Sequence, residues 1–282
     1  MKRILLLLIA VWPFFTNAQH FELGAMVGIS NYQGDLAPES LGPKFKQTHA
    51  AFGGFLRYNV NNYLAARFNV FYGTISGDDA NANTQERRDR NLSFKSGLLE
   101  FGLTAEYNIL GYQPYNLERI FSPYLFAGVA LYRYNPKAFY DGRWVELQPL
   151  GTEGQGLASE PDRDFYKLTQ FSIPFGVGVK YAINDAWNLG LELGMRATFN
   201  DYLDDVSLTY TNAAELLAER GEVAAALSNR SGDVRVAGDG RGDASRNDWY
   251  FMGGITISYN FLDNGLVGIR LRNRRKTGCQ TF

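Results

Sequence analysis

The fold of this chain is decided by residues 168 to 199, which read LTQFSIPFGVGVKYAINDAWNLGLELGMRATF. Through Phe171–Ile183, every second residue is apolar, and the residues between them are small or charged. After the turn at Asn184–Asp185, the same alternation continues through Trp187–Phe199. Because successive side chains of a strand point to opposite faces, this pattern predicts a long β-hairpin with one apolar face.

The second face of this hairpin consists mainly of glycine with isolated charges, such as Lys180, Glu192 and Arg196. In a soluble sandwich the polar face would meet water, where glycine weakens a strand, whereas a crowded interior suits glycine. An apolar outer face combined with a narrow polar inner face is typical of a transmembrane β-barrel.

The N-terminus is consistent with export. Lys2-Arg3, the apolar run Ile4 to Val11 and the small residues before position 19 predict a signal peptide over residues 1–18. No later stretch has the roughly 18 apolar residues that a membrane helix needs. Thirty glycines, 15% aromatic residues and one cysteine suit a barrel better than a disulfide-rich secreted domain. We therefore expect a barrel over residues 19–261 and a basic periplasmic tail over residues 262–282.

The alternation predicts an all-β fold, an eight-stranded antiparallel transmembrane β-barrel. The fifth strand alternates poorly, because both of its faces are apolar. The predicted strands are Phe21 to Gln33, His49 to Val60, Tyr63 to Gly77, Phe94 to Ile109, Pro123 to Tyr134, the two arms of the hairpin, and Trp249 to Phe261.

Connections of two lengths separate these strands. Short links at 61–62, 110–122 and 184–185 alternate with long ones at 34–48, 78–93, 135–167 and 203–248. Outer-membrane barrels have short periplasmic turns and long external loops, so the alternation predicts which end faces outward. In the longest loop, the composition of Asn212 to Asn229 predicts helix interrupted at Gly221.

Aromatic residues cluster at the strand ends beside the short turns, where we expect an outward-facing periplasmic girdle. Aromatic enrichment in any β protein is the alternative explanation. The predicted girdle is Tyr58, Tyr63, Tyr107, Tyr124, Tyr181, Trp187, Tyr259 and Phe261.

Charged residues on the inner parity of the strands are expected to fill the lumen, because eight strands leave room only for side chains. Buried charges must pair, so we predict an ion-pair network; a proton or ion relay is the alternative. The predicted network contains Arg57, Arg67, Glu100, Glu106, Lys180, Glu192 and Arg196.

Two loop motifs and one histidine are candidate sites. Arg241–Asp243 is an RGD triplet, which we expect to be solvated loop rather than an adhesion motif. Asp201, Asp204 and Asp205 are expected to form an acidic loop base, with calcium binding as the alternative. A lipid hydrolase needs a histidine beside a serine, and no serine neighbours His49 in sequence, so we expect a capping or rim role. The sequence indicates no enzyme, no metal site, no cofactor and no nucleic-acid partner.

The tail after Phe261 is a feature that a plain barrel does not need. We expect it to dock an acidic periplasmic partner, with a disordered solubilising tail as the alternative. Cys279 is expected to be a bystander or to pair between molecules. The cations of the tail are Arg270, Arg272, Arg274, Arg275 and Lys276.

Five segments, together with the basic tail, carry a family resemblance: Asn31 to Leu36, Phe121 to Ala138, Leu147 to Leu157, Tyr166 to Tyr181 and Leu193 to Ser207. They resemble the PorG-like outer-membrane barrels of the Bacteroidota type IX secretion system. The resemblance implies a non-enzymatic component that sits in outer-membrane lipid. It also implies contact with a periplasmic ring made of a lipoprotein and its partner subunit. The alternatives are a small channel, a general structural barrel of the OmpW or OmpA kind, and a lipid-modifying enzyme.

Overall fold

A computed structural model describes residues 21–37, 45–112 and 120–261. The described residues form nine strands, and most of them follow a stretch in which apolar and small or polar residues alternate. The strands are β1 (Phe21–Gln33), β2 (His49–Asn59), β3 (Leu64–Asp78), β4 (Ser93–Asn108), β5 (Phe121–Tyr140), β6 (Arg143–Glu146), β7 (Thr169–Ala182), β8 (Trp187–Thr198) and β9 (Trp249–Asn260).

Eight of these strands close into an antiparallel barrel, as predicted. β1 to β5 pair in sequence, β5 then pairs with β7, and β7, β8 and β9 follow in order. The pairing of β9 with β1 closes the ring. β6 lies outside the ring, because it pairs with the projecting end of β5 alone.

The register of the barrel can be followed around the ring. Starting at Asn31 of β1, the paired residues lead through β9, β8, β7, β5, β4, β3 and β2 back to β1 at Phe21. Since 31 − 21 = 10, the stagger of the closed sheet is ten residues. A stagger of this kind requires strands tilted by roughly 35–45° to the barrel axis.

The outer face of the barrel is an apolar belt. Val27 is 72% exposed, Phe171 66% and Leu193 59%, and each lies on the outward parity of its strand. Large apolar side chains stay exposed around the whole ring, which only a lipid environment tolerates on this scale. The barrel therefore spans a membrane. No helix in the described ranges is both long and apolar enough to cross one.

Glycine allows the backbones of neighbouring strands to approach closely inside this narrow ring. A Cβ added to Gly28 would lie 2.0 Å from the carbonyl oxygen of Gly253. A Cβ added to Gly176 would lie 2.2 Å from that of Leu193. These inward glycines therefore permit the tight curvature of an eight-stranded wall.

β5 differs most from its prediction. The strand continues to Tyr140, beyond the predicted end at Tyr134, and turns through Asp141 and Gly142 into β6. Its pairing with β7 is interrupted between the pairs Ala127–Phe175 and Ala130–Ser172, a gap in which Pro174 lies on the β7 side. Pro174 has no backbone N–H to donate, so the ladder is interrupted there.

The four long connections fold together over one end of the barrel, and we call their described parts, residues 34–37, 45–48, 79–92, 141–168 and 199–248, the loop cap. The cap contains three helices: α1 (Gln85–Arg90), α2 (Ala213–Arg220) and α3 (Glu222–Ser228). The Asn212 side chain accepts hydrogen bonds from the backbone N–H groups of Ala214 and Glu215 and so caps α2. Gly221 separates α2 from α3, as the sequence predicts.

The apolar core of the loop cap is continuous with the upper lumen. Met26, Phe71 and Met252 inside the barrel belong to the same buried cluster as Leu203 and Leu227 of the cap. The cap is therefore a packed extension of the barrel rather than a set of independent loops. At the opposite end lie the short connections, the start of β1 and the end of β9.

Candidate functional site

The candidate site is the group of charged side chains inside the lower barrel, the part nearer the short connections. It lies beneath the apolar core that the barrel shares with the loop cap. The strand parity turns all seven predicted residues inward, and each is at most 3% exposed. Their positions in the ring bring residues distant in sequence into contact. The side chains are Arg57, Arg67, Glu100, Glu106, Lys180, Glu192 and Arg196.

Glu106 is the hub of the lower layer. Its carboxylate lies 2.9 Å from Arg57 Nε, 3.1 Å from Arg67 Nη1 and 2.7 Å from Lys180 Nζ. Lys180 also donates to Asn108 Oδ1 at 3.0 Å. Three cations therefore share one carboxylate, and water has no access to replace it.

A second layer is built on Arg67, which bridges from Glu106 to Glu192. Arg67 Nη2 donates to Glu192 Oε1 at 3.0 Å, and Nη1 contacts the other carboxylate oxygen. The hydroxyl of Tyr124 donates to Glu192 Oε2 at 2.7 Å. A third layer pairs Arg196 Nε with Glu100 Oε2 at 3.0 Å, and Tyr250 donates to the same oxygen at 2.8 Å.

The charges of this network balance through a residue that our prediction missed. Glu22 is fully buried, lies 2.5 Å from Arg57 Nη1, and accepts a hydrogen bond from Asn59 at 2.7 Å. It gives the described lumen four carboxylates for four cations. Parity could have identified it, because Glu22 lies between the outward Phe21 and Leu23.

Tyr124 was wrongly placed in the outward girdle. The side chain points into the lumen and is 1% exposed, with Lys180 Nζ 4.6 Å from the centre of its ring. Both faces of β5 are apolar, so its parity could not be oriented from sequence. The inner face proves to carry aromatic residues that fill the barrel, including Phe126 and Tyr132.

The other predicted girdle residues lie on the outside near the short turns. Tyr63, Tyr107, Tyr181 and Trp187 are exposed there. The rest are half-buried by ring contacts, which join Tyr58 to Phe21, Tyr259 to Trp187, and Phe261 to Tyr259.

The filled interior determines what the site can do. Side chains from the charge network up to Tyr132 and Tyr250 are almost completely buried, so the described lumen has no continuous water-filled path. Removing a partner from such a network would leave an uncompensated charge. The arrangement stabilises the wall of the barrel through buried ion pairs.

The loop cap contains a second buried charge site, and it overturns our prediction for the RGD triplet. Arg241 is 3% exposed rather than solvated. Its Nη1 lies 3.0 Å from Glu153 Oε1 and 2.6 Å from the carbonyl oxygen of Asp205. Glu153 in turn accepts from the backbone N–H of Ser207 at 3.0 Å. Arg241 therefore joins two of the long connections.

The predicted acidic loop base is also buried. Tyr32 Oη lies 2.6 Å from Asp204 Oδ2 and 3.0 Å from Asp248 Oδ1. Burial raises the pKa of both carboxyls, and the negative charge of Asp204 raises the pKa of Asp248 further. Burial also raises the pKa of Asp201 to about 7 and that of Asp205 to about 6, the latter despite the nearby Arg241 cation.

The described residues contain no cluster of three or more histidine, cysteine, aspartate and glutamate side chains placed to hold a metal ion. A cleft of about 730 Å³ opens in the cap between Asp35, α1 and the last long connection. Its lining carries both signs of charge, including Arg87, Arg235 and Asp243.

His49 has a serine partner that the sequence did not suggest. Its Nε2 lies 2.7 Å from Ser76 Oγ at the rim of β2 and β3. The predicted signal peptide, the tail cations (Arg270, Arg272, Arg274, Arg275 and Lys276) and Cys279 lie outside the described residues.

Three solved outer-membrane proteins resemble the chain. The N-terminal β-barrel domain of Pseudomonas aeruginosa OprF is 11% identical, with 86% of this chain and 98% of that one covered and a TM-score of 0.39. Neisserial surface protein A (NspA) is 14% identical, with 86% and 97% covered and a TM-score of 0.41. Escherichia coli outer membrane protein W is 16% identical, with 86% and 99% covered and a TM-score of 0.37.

No curated protein matches the sequence. A family profile described as a domain of unknown function, DUF6089, matches residues 1–218, which include the charged lumen of β1 to β8 and most of the loop cap. The chain therefore belongs to the DUF6089 family.

Proposed function

We propose that this protein is a non-enzymatic structural barrel of the bacterial outer membrane that serves the type IX secretion system. In this role it contacts the periplasmic ring of a lipoprotein and its partner subunit, and helps to seat that ring at the membrane. The filled lumen carries the proposal, since a barrel without a water path is suited to anchoring rather than transport.

The orientation follows from the two ends of the barrel. Short turns and the barrel's first and last strand ends share one end, which we assign to the periplasm, and the loop cap faces outward. β9 ends at Asn260, so the chain leaves the barrel at the assigned periplasmic end. Five cations then follow within residues 270–276, a charge density suited to an acidic partner surface.

The test is co-purification of the ring proteins with three forms of the full-length barrel from intact cells. These are the unmodified protein, a deletion of residues 264–282, and a form with the five tail cations changed to glutamine. We expect both altered forms to insert normally and to lose the ring proteins. Unchanged recovery with either form would contradict docking by tail charge.

A general structural role in the outer membrane, without secretion, is supported equally by the filled barrel. The same deletion separates the two roles, because a general barrel would keep its abundance and effect on the cell envelope without any change in secreted proteins. A small channel is the weaker alternative, since it needs an opening through the Glu106 layer. Planar-bilayer conductance that rises in Glu106→Gln would favour it.

The contact between His49 and Ser76 favours examining a lipid hydrolase as well. A histidine base beside a serine hydroxyl is the minimal pair for nucleophilic attack on an ester. Ser76→Ala is the direct test, and an unchanged acyl composition of membrane lipids would leave the pair with a rim-stabilising role.

A further inference from the structure

Four cations form a patch at the border between the outer wall of the barrel and the loop cap. We call this patch the cationic rim: Lys95 of β4, Arg133 and Lys137 of β5, and Lys167 immediately before β7. Lys95, Arg133 and Lys167 are exposed, and Lys137 is half-buried.

The three strand cations of the rim share the face that meets lipid lower in the barrel. Lys95 has the outward parity of Phe101, and Arg133 and Lys137 have that of Leu131. Leu99 lies directly opposite Arg133. One row lower, Leu131 pairs with both Phe101 and Phe171, and all three are exposed. The cations therefore follow the upper border of the apolar belt.

Within the described residues, the charges of the rim are only partly compensated. Lys95 and Lys137 are direct partners across β4 and β5, a position in which like charges repel. Lys137 has one ion pair, with Glu146 at 2.9 Å, and Lys95 lies 5.7 Å from the centre of the Trp144 ring. In the part of the chain that the structure describes, no carboxylate lies within 4.0 Å of Lys95, Arg133 or Lys167.

We propose that the cationic rim binds the phosphorylated headgroup of a membrane lipid whose acyl chains lie against Leu99, Leu131 and Phe171. A phosphate between Lys95 and Lys137 removes their repulsion, and Arg133 supplies a planar guanidinium suited to phosphate oxygens. The apolar row directly below accommodates the chains of the same molecule. Four adjacent cations argue against a second copy of this face as the occupant.

The identity of the leaflet rests on the proposed outer-membrane orientation, in which the loop cap faces outward. The rim then meets the outer leaflet, and we assign a phosphorylated glycolipid as its ligand. Binding of such a lipid at this border would attach the barrel wall to the membrane on the side where β6 projects.

The test is native mass spectrometry of the full-length barrel released from detergent after titration with bisphosphorylated lipid A. Dephosphorylated lipid A and inorganic phosphate are the comparison ligands. The rim variant is Lys95→Gln/Lys137→Gln. The matched control is Lys46→Gln/Arg246→Gln, which removes two exposed cap cations elsewhere.

We expect the rim variant to bind bisphosphorylated lipid A about 30-fold more weakly, from roughly 1 kcal/mol per cation near an anionic surface. The control variant should bind as the unmodified barrel does. Three results would each overturn the proposal. They are equal weakening in both variants, binding of dephosphorylated lipid A as tight as that of bisphosphorylated lipid A, and binding of inorganic phosphate alone. Recovery of the ring proteins is measured separately, so a failed tail interaction does not affect this result.

Discussion

Glu106→Gln is expected to be the most damaging conservative change in the barrel. The Glu106 carboxylate lies within 3.1 Å of three cations, and the side chain is 1% exposed. Glutamine keeps the shape and one acceptor oxygen but removes the charge that Arg57, Arg67 and Lys180 share. Breaking a buried ion pair by removing one partner costs about 3–5 kcal/mol. We expect a loss in that range, because the three cations would then face one another without water.

The free energy of unfolding can be measured by urea titration of the barrel refolded into phospholipid vesicles. Tryptophan fluorescence and the gel mobility of the unheated protein give two readouts. Glu100→Gln is the matched control: that carboxylate pairs with a single cation, Arg196, and we expect a smaller loss. The double variant Glu106→Gln/Lys180→Met should recover part of the stability, since it removes one unmatched cation.

The reasoning would be refuted by a Glu106→Gln barrel whose unfolding free energy stays within about 0.5 kcal/mol of the unmodified protein, a range usual for surface substitutions. A loss equal to that of Glu100→Gln would also count against the hub. Either result would mean that the cations find other partners, and that the network is a set of independent pairs.

Three further outcomes are expected. The raised pKa values of Asp205, about 6, and Asp201, about 7, mean that the folded cap binds protons more tightly than the unfolded chain. The cap should therefore lose stability as pH rises from about 4 to about 7. After correction for the intrinsic pH dependence of amide hydrogen exchange, residues 199–248 should exchange faster at the higher pH. Arg241→Ala leaves Glu153 buried without its cation, so protease should cleave the cap at least tenfold faster while the barrel stays folded. Gly28→Val should prevent closure of β1 against β9 and abolish the folded gel band, whereas Gly240→Val, with open space around it, should fold normally.

The barrel could be predicted from sequence because its information is local. Lipid outside and a crowded lumen inside impose a two-residue period on each strand, and β1 matches its predicted bounds, Phe21 to Gln33. The same rule would have assigned Glu22 to the lumen. It did not help with Tyr124, because an inner face filled with aromatic side chains has the same hydropathy as an outer face.

The loop cap could not be predicted because its contacts join residues far apart in the chain. Arg241 and Glu153 are 88 positions apart, and Tyr32 and Asp204 are 172 apart. Composition around Arg241 indicates a solvated loop, since glycine and charged residues dominate it. Only the packing of the four connections onto the barrel shows that this arginine is buried and joins two of them. The helix break at Gly221, by contrast, is a local signal and was predicted.

The charges in the lumen and the charges of the cationic rim have different roles. Those in the lumen stabilise the barrel, whereas those of the rim are accessible to a binding partner. Inside the described barrel, four carboxylates match four cations, so the lumen satisfies its own charges and needs no ligand. In the cationic rim, by contrast, Lys95, Arg133 and Lys167 are exposed and have no carboxylate partner among the residues that the structure describes. Uncompensated charge costs least where a ligand or water can approach it. We therefore expect specific recognition by this barrel at its charged edges rather than in its lumen.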